Sequence, residues 1–217
     1  MNQSELITEI GYRYRSASRN FVTTEEIKSE LNRSIDRLSG LVDLVTTIVS
    51  VTIPFTGNGT YTFTALGITD MKRPISLFDR SNNILFKRLS GSGMYSAEDG
   101  GNNNYALTNT GINIVSTIAS GTLTFTYYST KDCTDSTGAT PQKGLSLTTD
   151  IPLLQTRFHD YFVEDVAAVL FRKERKWDDY QIARSITKEI FKEITDENPT
   201  QYENVFTQIN PYPNTYD

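Results

Sequence analysis

The chain has 217 residues, 37% of them hydrophobic and 22% charged, enough to bury a core in one domain or in two small ones. Its net charge of −5 and pI near 5.0 argue against a protein that grips phosphates, because tight nucleic-acid binding neutralises them with Lys and Arg. A lone cysteine, Cys133, excludes an intramolecular disulfide. No apolar run approaches the roughly 18 residues of a membrane helix, and the opening MNQSELITEIGYRYRS lacks a secretory core, so synthesis inside the cell is the expectation.

The spacing of Leu6, Ile7, Ile10 and Tyr14 predicts a first helix from about Glu5 to Tyr14, with Ser4 as its N-cap. Thr23 followed by Glu26 fits a capping box, and Ile27, Leu31, Ile35, Leu38 and Leu41 continue a second helix. From Thr46 the period changes to two. Val49, Val51, Ile53 and Phe55, the turn Gly57-Asn58-Gly59, then Tyr61 and Phe63 read as a β-hairpin. Further strands are expected at Ile75–Phe78, Ile84–Leu89, Tyr105–Leu107, Ile112–Ile118 and Thr122–Tyr128. Glu98 to Asn104 reads as a turn or hairpin tip, and the polar stretch from Lys131 to Leu147 as a linker.

The last block, Leu153 to Glu193, reads as a helical hairpin. Phe158, Tyr161, Phe162, Val166, Val169 and Leu170 form one stripe, and Trp177, Tyr180, Ala183, Ile186, Ile190 and Ile194 the next. From Asn198 the chain continues NPTQYENVFTQINPYPNTYD, where prolines preclude a continued helix yet large apolar side chains recur. The predicted fold is α+β, a helical bundle built from N- and C-terminal helix pairs with an inserted antiparallel β sandwich or barrel. Its divisions are 1–45 with 148–196 (helical), 46–130 (β), 131–147 (linker) and 197–217 (an extended C-terminal arm). Leu31, Ile35, Val166, Val169, Ile186 and Ile190 are expected in the core.

Chemical motifs are sparse. His159 is the sole histidine, so zinc sites and His-dependent nucleophiles have little support, and it reads as a structural or interface residue. Cys133, among Asp132, Thr134 and Asp135, reads as an exposed thiol. Glu164 and Asp165 are adjacent, and neighbours on a helix diverge by about 100°, so they cannot flank one bond as a glycosidase pair does. Gly91-Ser92-Gly93 lacks the Lys and Ser/Thr of a phosphate loop. The cluster Arg172, Lys173, Arg175 and Lys176 fits a solvated helix C-terminus, where positive charge is favoured, better than a DNA contact. No cofactor, metal or catalytic residue is expected.

The order helix pair, β insert, helix pair and polar-aromatic tail resembles the adaptor proteins of tailed bacteriophages, the head-tail connector or head-completion subunits beneath the portal. The resemblance is carried by TTEEIKSELNRSIDRL (Thr23–Leu38), TYTFTALGITDMKRPISLFD (Thr60–Asp79), TLTFTYYSTKD (Thr122–Asp132) and DIPLLQTRFHDYFVEDVAAVLFRKERKWDDYQIAR (Asp150–Arg184). It implies a non-enzymatic virion protein of the neck, made in the host cytoplasm and assembled with its own copies into a ring, typically a dodecamer. Genome DNA would pass through the ring without tight binding, the acidic subunit repelling it. The implied partners are the portal protein and tail-tube, nozzle or fibre proteins, with no membrane. Tyr202, Phe206, Ile209, Tyr212 and Tyr216 would dock the arm on the portal or a neighbouring subunit, and Arg172, Lys173, Arg175 and Lys176 would meet acidic neighbours at a subunit interface. The competing readings are a fibre-associated or adhesin-like binding module, suggested by Thr- and Tyr-rich strands, and a phage cell-wall hydrolase, which needs paired carboxylates or a metal.

Overall fold

A computed structural model describes residues 1–14, 22–89 and 103–198. The chain divides into two compact units, one of Met1–Thr47 with Lys131–Asp217 and the other of Ile48–Thr130. The fold is mixed α and β. Helix α1 spans Gln3–Tyr14. Its cap is Asn2 and not the expected Ser4: Asn2 Oδ1 accepts from the Glu5 N–H at 2.9 Å, and Glu5 Oε2 accepts from the Asn2 N–H at 2.8 Å. Gln3 and Ser4 N–H, which lack partners within the helix, donate to the carbonyls of Asp150 and Thr148. Helix α2 spans Thr24–Leu41 and is capped as its sequence predicts, with Thr23 Oγ1 accepting from the Glu26 N–H at 3.2 Å. Ile27, Leu31, Ile35 and Leu38 are buried, whereas Leu41, at the last turn, is 49% exposed and Val42 is buried in its place.

The β unit holds β1 (Ile48–Phe55), β2 (Gly59–Thr62), β3 (Met71–Asp79), β4 (Ile84–Leu85), β5 (Lys87–Leu89), β6 (Asn103–Leu107), β7 (Gly111–Ser116) and β8 (Gly121–Ser129). They form two four-stranded sheets, ordered β1-β8-β3-β4 and β2-β7-β6-β5. Neither sheet closes, which removes the barrel alternative. Both line one core, with Ile53, Phe55, Leu77, Leu123 and Phe125 from the first sheet and Tyr105, Ile112 and Ile114 from the second.

The expected hairpin of β1 with β2 does not form. β1 pairs antiparallel with β8, and β2 with β7. Gly57 and Gly59, at φ of 136° and 154°, carry the chain from one sheet to the other, and Tyr61 Oη clasps that crossing, accepting from the Thr56 N–H and donating to the Gly57 carbonyl. Gly111 sits so close to β2 that a Cβ there would overlap the Tyr61 carbonyl oxygen. The single strand expected over Ile84–Leu89 is two strands in different sheets, divided at Phe86, whose buried ring enters the core. β5 and β6 run parallel, a pairing that no hairpin tip joins. Of the expected Glu98–Asn104 tip, residues 98–102 lie outside the described residues, as does the Gly91–Gly93 segment, and Asn103 opens β6.

The stretch read as a linker belongs to the helical unit. Within it, β9 (Cys133–Thr134) pairs with β10 (Pro141–Gln142), and on its other side β9 pairs with β11 (Ile151–Pro152), which follows the stretch. Asp132 accepts from the Gly144 N–H and from Ser39 Oγ of α2 and pairs with Lys143, while Leu145 N–H donates to Asn32 Oδ1. The last helices are α3 (Asp160–Lys173) and α4 (Trp177–Glu197). Helix is absent from Leu153 to Gln155 because β11 precedes it and a single 3-10 turn, Thr156–Phe158, leads into α3. All four helices share a core containing Leu6, Ile10, Leu31, Ile35, Phe162, Val166, Leu170, Ala183 and Ile194. Val169, Ile186 and Ile190, expected in that core, are only half-buried. Among the described residues no helix is long and apolar enough to cross a membrane.

Candidate functional site

Helix α3 touches the other three helices, and its adjacent carboxylates point to different ones. Glu164 pairs with Arg13 of α1 at 2.7 Å. Asp165 is buried and accepts from Ser34 Oγ at 2.6 Å and Arg37 at 2.5 Å on α2, and from Arg184 at 3.2 Å on α4. Divergence by about 100° between neighbours on a helix thus lets two successive residues bind three helices. Both carboxylates have cationic partners and face no common point. A buried carboxylate matched this fully fixes the register of its neighbours, because a helix shifted by one turn would leave the charge without its donors.

The basic cluster sits where α3 ends. Lys173 donates to Glu26 at 2.7 Å and Glu30 at 3.2 Å on α2, and the Glu26 carboxylate holds its ammonium above the ordinary lysine range. Lys176 pairs with Glu174 at 2.9 Å and lies 5.7 Å from the Tyr14 ring centroid. Burial, reinforced by Glu174, raises the Tyr14 phenol well above its usual pKa. Arg172 and Arg175 are exposed. The four residues that sequence reading groups together therefore divide into two lysines engaged with glutamates of their own chain and two arginines directed to solvent.

Arg175 also makes the turn. It takes φ of 59°, a left-handed conformation that favours glycine. The N–H of Lys176 returns to the Phe171 carbonyl at 2.9 Å, and that of Arg175 to the Arg172 carbonyl at 3.2 Å, closing the end of α3 as a Schellman motif. No Gly marks this reversal in the sequence.

His159 is fully buried. Its Nδ1 lies 2.8 Å from the Met1 amino group and its Nε2 2.9 Å from the Leu154 carbonyl. An ammonium only donates, so Nδ1 accepts and Nε2 carries the hydrogen. Burial lowers the imidazole pKa and keeps it neutral. Cys133 is buried in the helical core and not exposed as its polar neighbours suggest. Burial, then the Asp132 charge, raises its thiol far above the usual value, which removes the thiolate that reactivity needs. Among the described residues no group of three or more His, Cys, Asp or Glu is placed to hold a metal ion.

The arm residues Tyr202, Phe206, Ile209, Tyr212 and Tyr216 lie outside the described residues. Its expected start shifts, because Glu197 closes α4 and Asn198 is buried. Asn198 Oδ1 accepts from the Val45 N–H at 3.0 Å and its Nδ2 donates to the Ile194 carbonyl at 2.9 Å, fastening the end of α4 to the residues after α2. Sequence reading missed this residue, since it placed Asn198 with the extended arm beyond the last helix. It also assigned Trp177 to an inward stripe, whereas Trp177 is 56% and Ile182 53% exposed on α4, flanking the buried line of Ala183, Thr187 and Ile194. No protein-family model matches this chain, and no curated protein matches it.

Proposed function

We propose that this protein is a non-enzymatic structural component of a tailed-bacteriophage virion, a head-tail adaptor that forms a ring below the portal and docks tail-tube, nozzle or fibre proteins. The observation that carries the reading is the discontinuous helical unit. Helices from both ends of the chain contribute to one core, and the intervening β unit opens and closes on neighbouring strands, Ile48 of β1 lying opposite Tyr128 of β8. Entry and exit side by side are what an insertion into another domain requires. In this reading the four helices form the adaptor bundle, α3 at its centre with Glu164 and Asp165 fixing its neighbours. The outward Trp177 and Ile182 serve contacts between subunits, Arg172 and Arg175 meet acidic residues of the next subunit, and the arm carrying Tyr202, Phe206, Ile209, Tyr212 and Tyr216 docks on the portal or a neighbour. The net charge of −5 suits a wall past which DNA slides.

The test is reconstitution. Purified protein added to portal-bearing heads should appear in electron micrographs as a closed ring of subunits at the neck. Turnover of peptidoglycan or nucleic acid that a single substitution abolishes would overturn the structural reading. The two facing sheets of the β unit favour the second reading, a fibre-associated binding module, which predicts no ring on portal-bearing heads.

A further inference from the structure

The β unit has four sheet edges, and three are short or charged: β2 has four residues, β4 two, and β5 three that include Lys87 and Arg88. The fourth edge is different. β1 runs eight residues and pairs with β8 along its whole length on one side. Alternate residues of an edge strand direct N–H and C=O groups away from their partner, and among the described residues no backbone bond reaches β1 beyond the β8 ladder. Such a row is a template for another strand, which folded proteins blunt by brevity, charge or proline. Pro54 stands only near the far end of β1, and no charged residue occurs from Leu44 to Thr69 in a chain that is 22% charged.

We propose that the β1 edge binds the β1 edge of a second copy of this chain, antiparallel about a two-fold axis, joining two four-stranded sheets into one. Charge argues for this occupant. A strand bearing Lys, Arg, Asp or Glu would bring its charge against an edge that offers no counter-charge, and a second β1 brings none. The pleat is also self-matching. With Val51 or Thr52 on the axis, Val49, Val51, Ile53 and Phe55 of both copies fall on one face and Ser50 and Thr52 on the other, whereas a slip of one residue would turn the inward set outward. Val49 and Val51, half-buried at the margin of the core, gain cover from the added strand. An isologous pair is not the rotational contact that closes a ring, so the inference stands apart from the neck reading.

Cys133 is buried, which leaves an introduced cysteine as the accessible thiol in the full-length chain. On a two-fold axis only a residue facing its own copy can bridge, across the about 4.5–5.5 Å Cα separation of an antiparallel pair. Under mild oxidation either Val51→Cys or Thr52→Cys should give a disulfide-linked dimer, and Val49→Cys should not. The unmodified chain should sediment as two copies, and Ser50→Lys, at an exposed position, should return it to one copy with an unchanged circular dichroism spectrum. A one-copy mass for the unmodified chain, or equal cross-linking at 49, 51 and 52, would overturn the proposal. A larger ring unaffected by Ser50→Lys would overturn it too while leaving the neck reading in place.

Discussion

Burial makes His159 a source of acid sensitivity. Its pKa is lowered in the fold, so between the ordinary histidine value of about 6.5 and its folded value the unfolded chain binds a proton that the folded chain refuses. Its contribution to stability is therefore complete above about pH 6.5 and declines as pH falls, by up to about 1.4 kcal/mol per pH unit. The depressed carboxylates of Asp79 and Asp150 act lower, below their ordinary value of 3.8. Urea melts at about pH 7 and about pH 5 should show the loss, and His159→Gln should abolish the difference. An unchanged difference in that variant would assign the effect to other groups. The structural role of His159 was legible because a lone histidine has no second ligand or catalytic partner. Cys133 was misread because its neighbours Asp132, Thr134 and Asp135 are polar, and a residue's own direction in a two-residue strand such as β9 leaves no periodic trace.

At the scale of elements, helices were more legible than strand pairings, for a physical reason. A helix is bonded within itself, so the stripes of α2 and α3 and the Thr23 cap stand in local sequence. A strand's partner is chosen elsewhere. β1 prefers β8 to the nearby β2 because Val51 and Ile53 meet Phe125 and Leu123 across that pairing, and neither the division at Phe86 nor the parallel β5–β6 pair follows from a two-residue period. Exposure also separates residues of α2 and α3 that were both expected in the core. Ile35 is buried whereas Val169 is half-buried, so Ile35→Asp should prevent folding, with a cost of several kcal/mol for a lone buried charge, while Val169→Asp should leave a folded, less stable chain. Circular dichroism of the two variants checks this, and equal unfolding would refute it. The turn between α3 and α4 gives the opposite sign. Arg175→Gly removes the cost of a side chain at φ of 59° and should stabilise the protein by about 1 kcal/mol, read from the denaturant midpoint. A lower midpoint would mean that the Arg175 side chain makes contacts worth more than the strain.

The whole molecule is organised by where the chain leaves and rejoins its helical unit. Asn198 is the last described residue, and its amide holds Val45, three residues before β1 begins. Whatever role the following segment has, it starts from a fixed point. Truncation can therefore separate stability from attachment more cleanly than the sequence boundary at residue 197 allowed. A chain ending at Asn198 retains both of that residue's side-chain hydrogen bonds and should melt with the full-length protein. Ending at Glu197 removes the acceptor for the Val45 N–H and should cost about 1 kcal/mol. If the arm docks on the portal, both truncations should fail to attach to portal-bearing heads, because Tyr202, Phe206, Ile209, Tyr212 and Tyr216 go with it, and large aromatic side chains dominate the energetics of such contacts. Attachment by the chain ending at Asn198 that equals attachment by the full chain would show that the arm is dispensable, leaving the exposed Trp177 and Ile182 of α4 as the surface to mutate next.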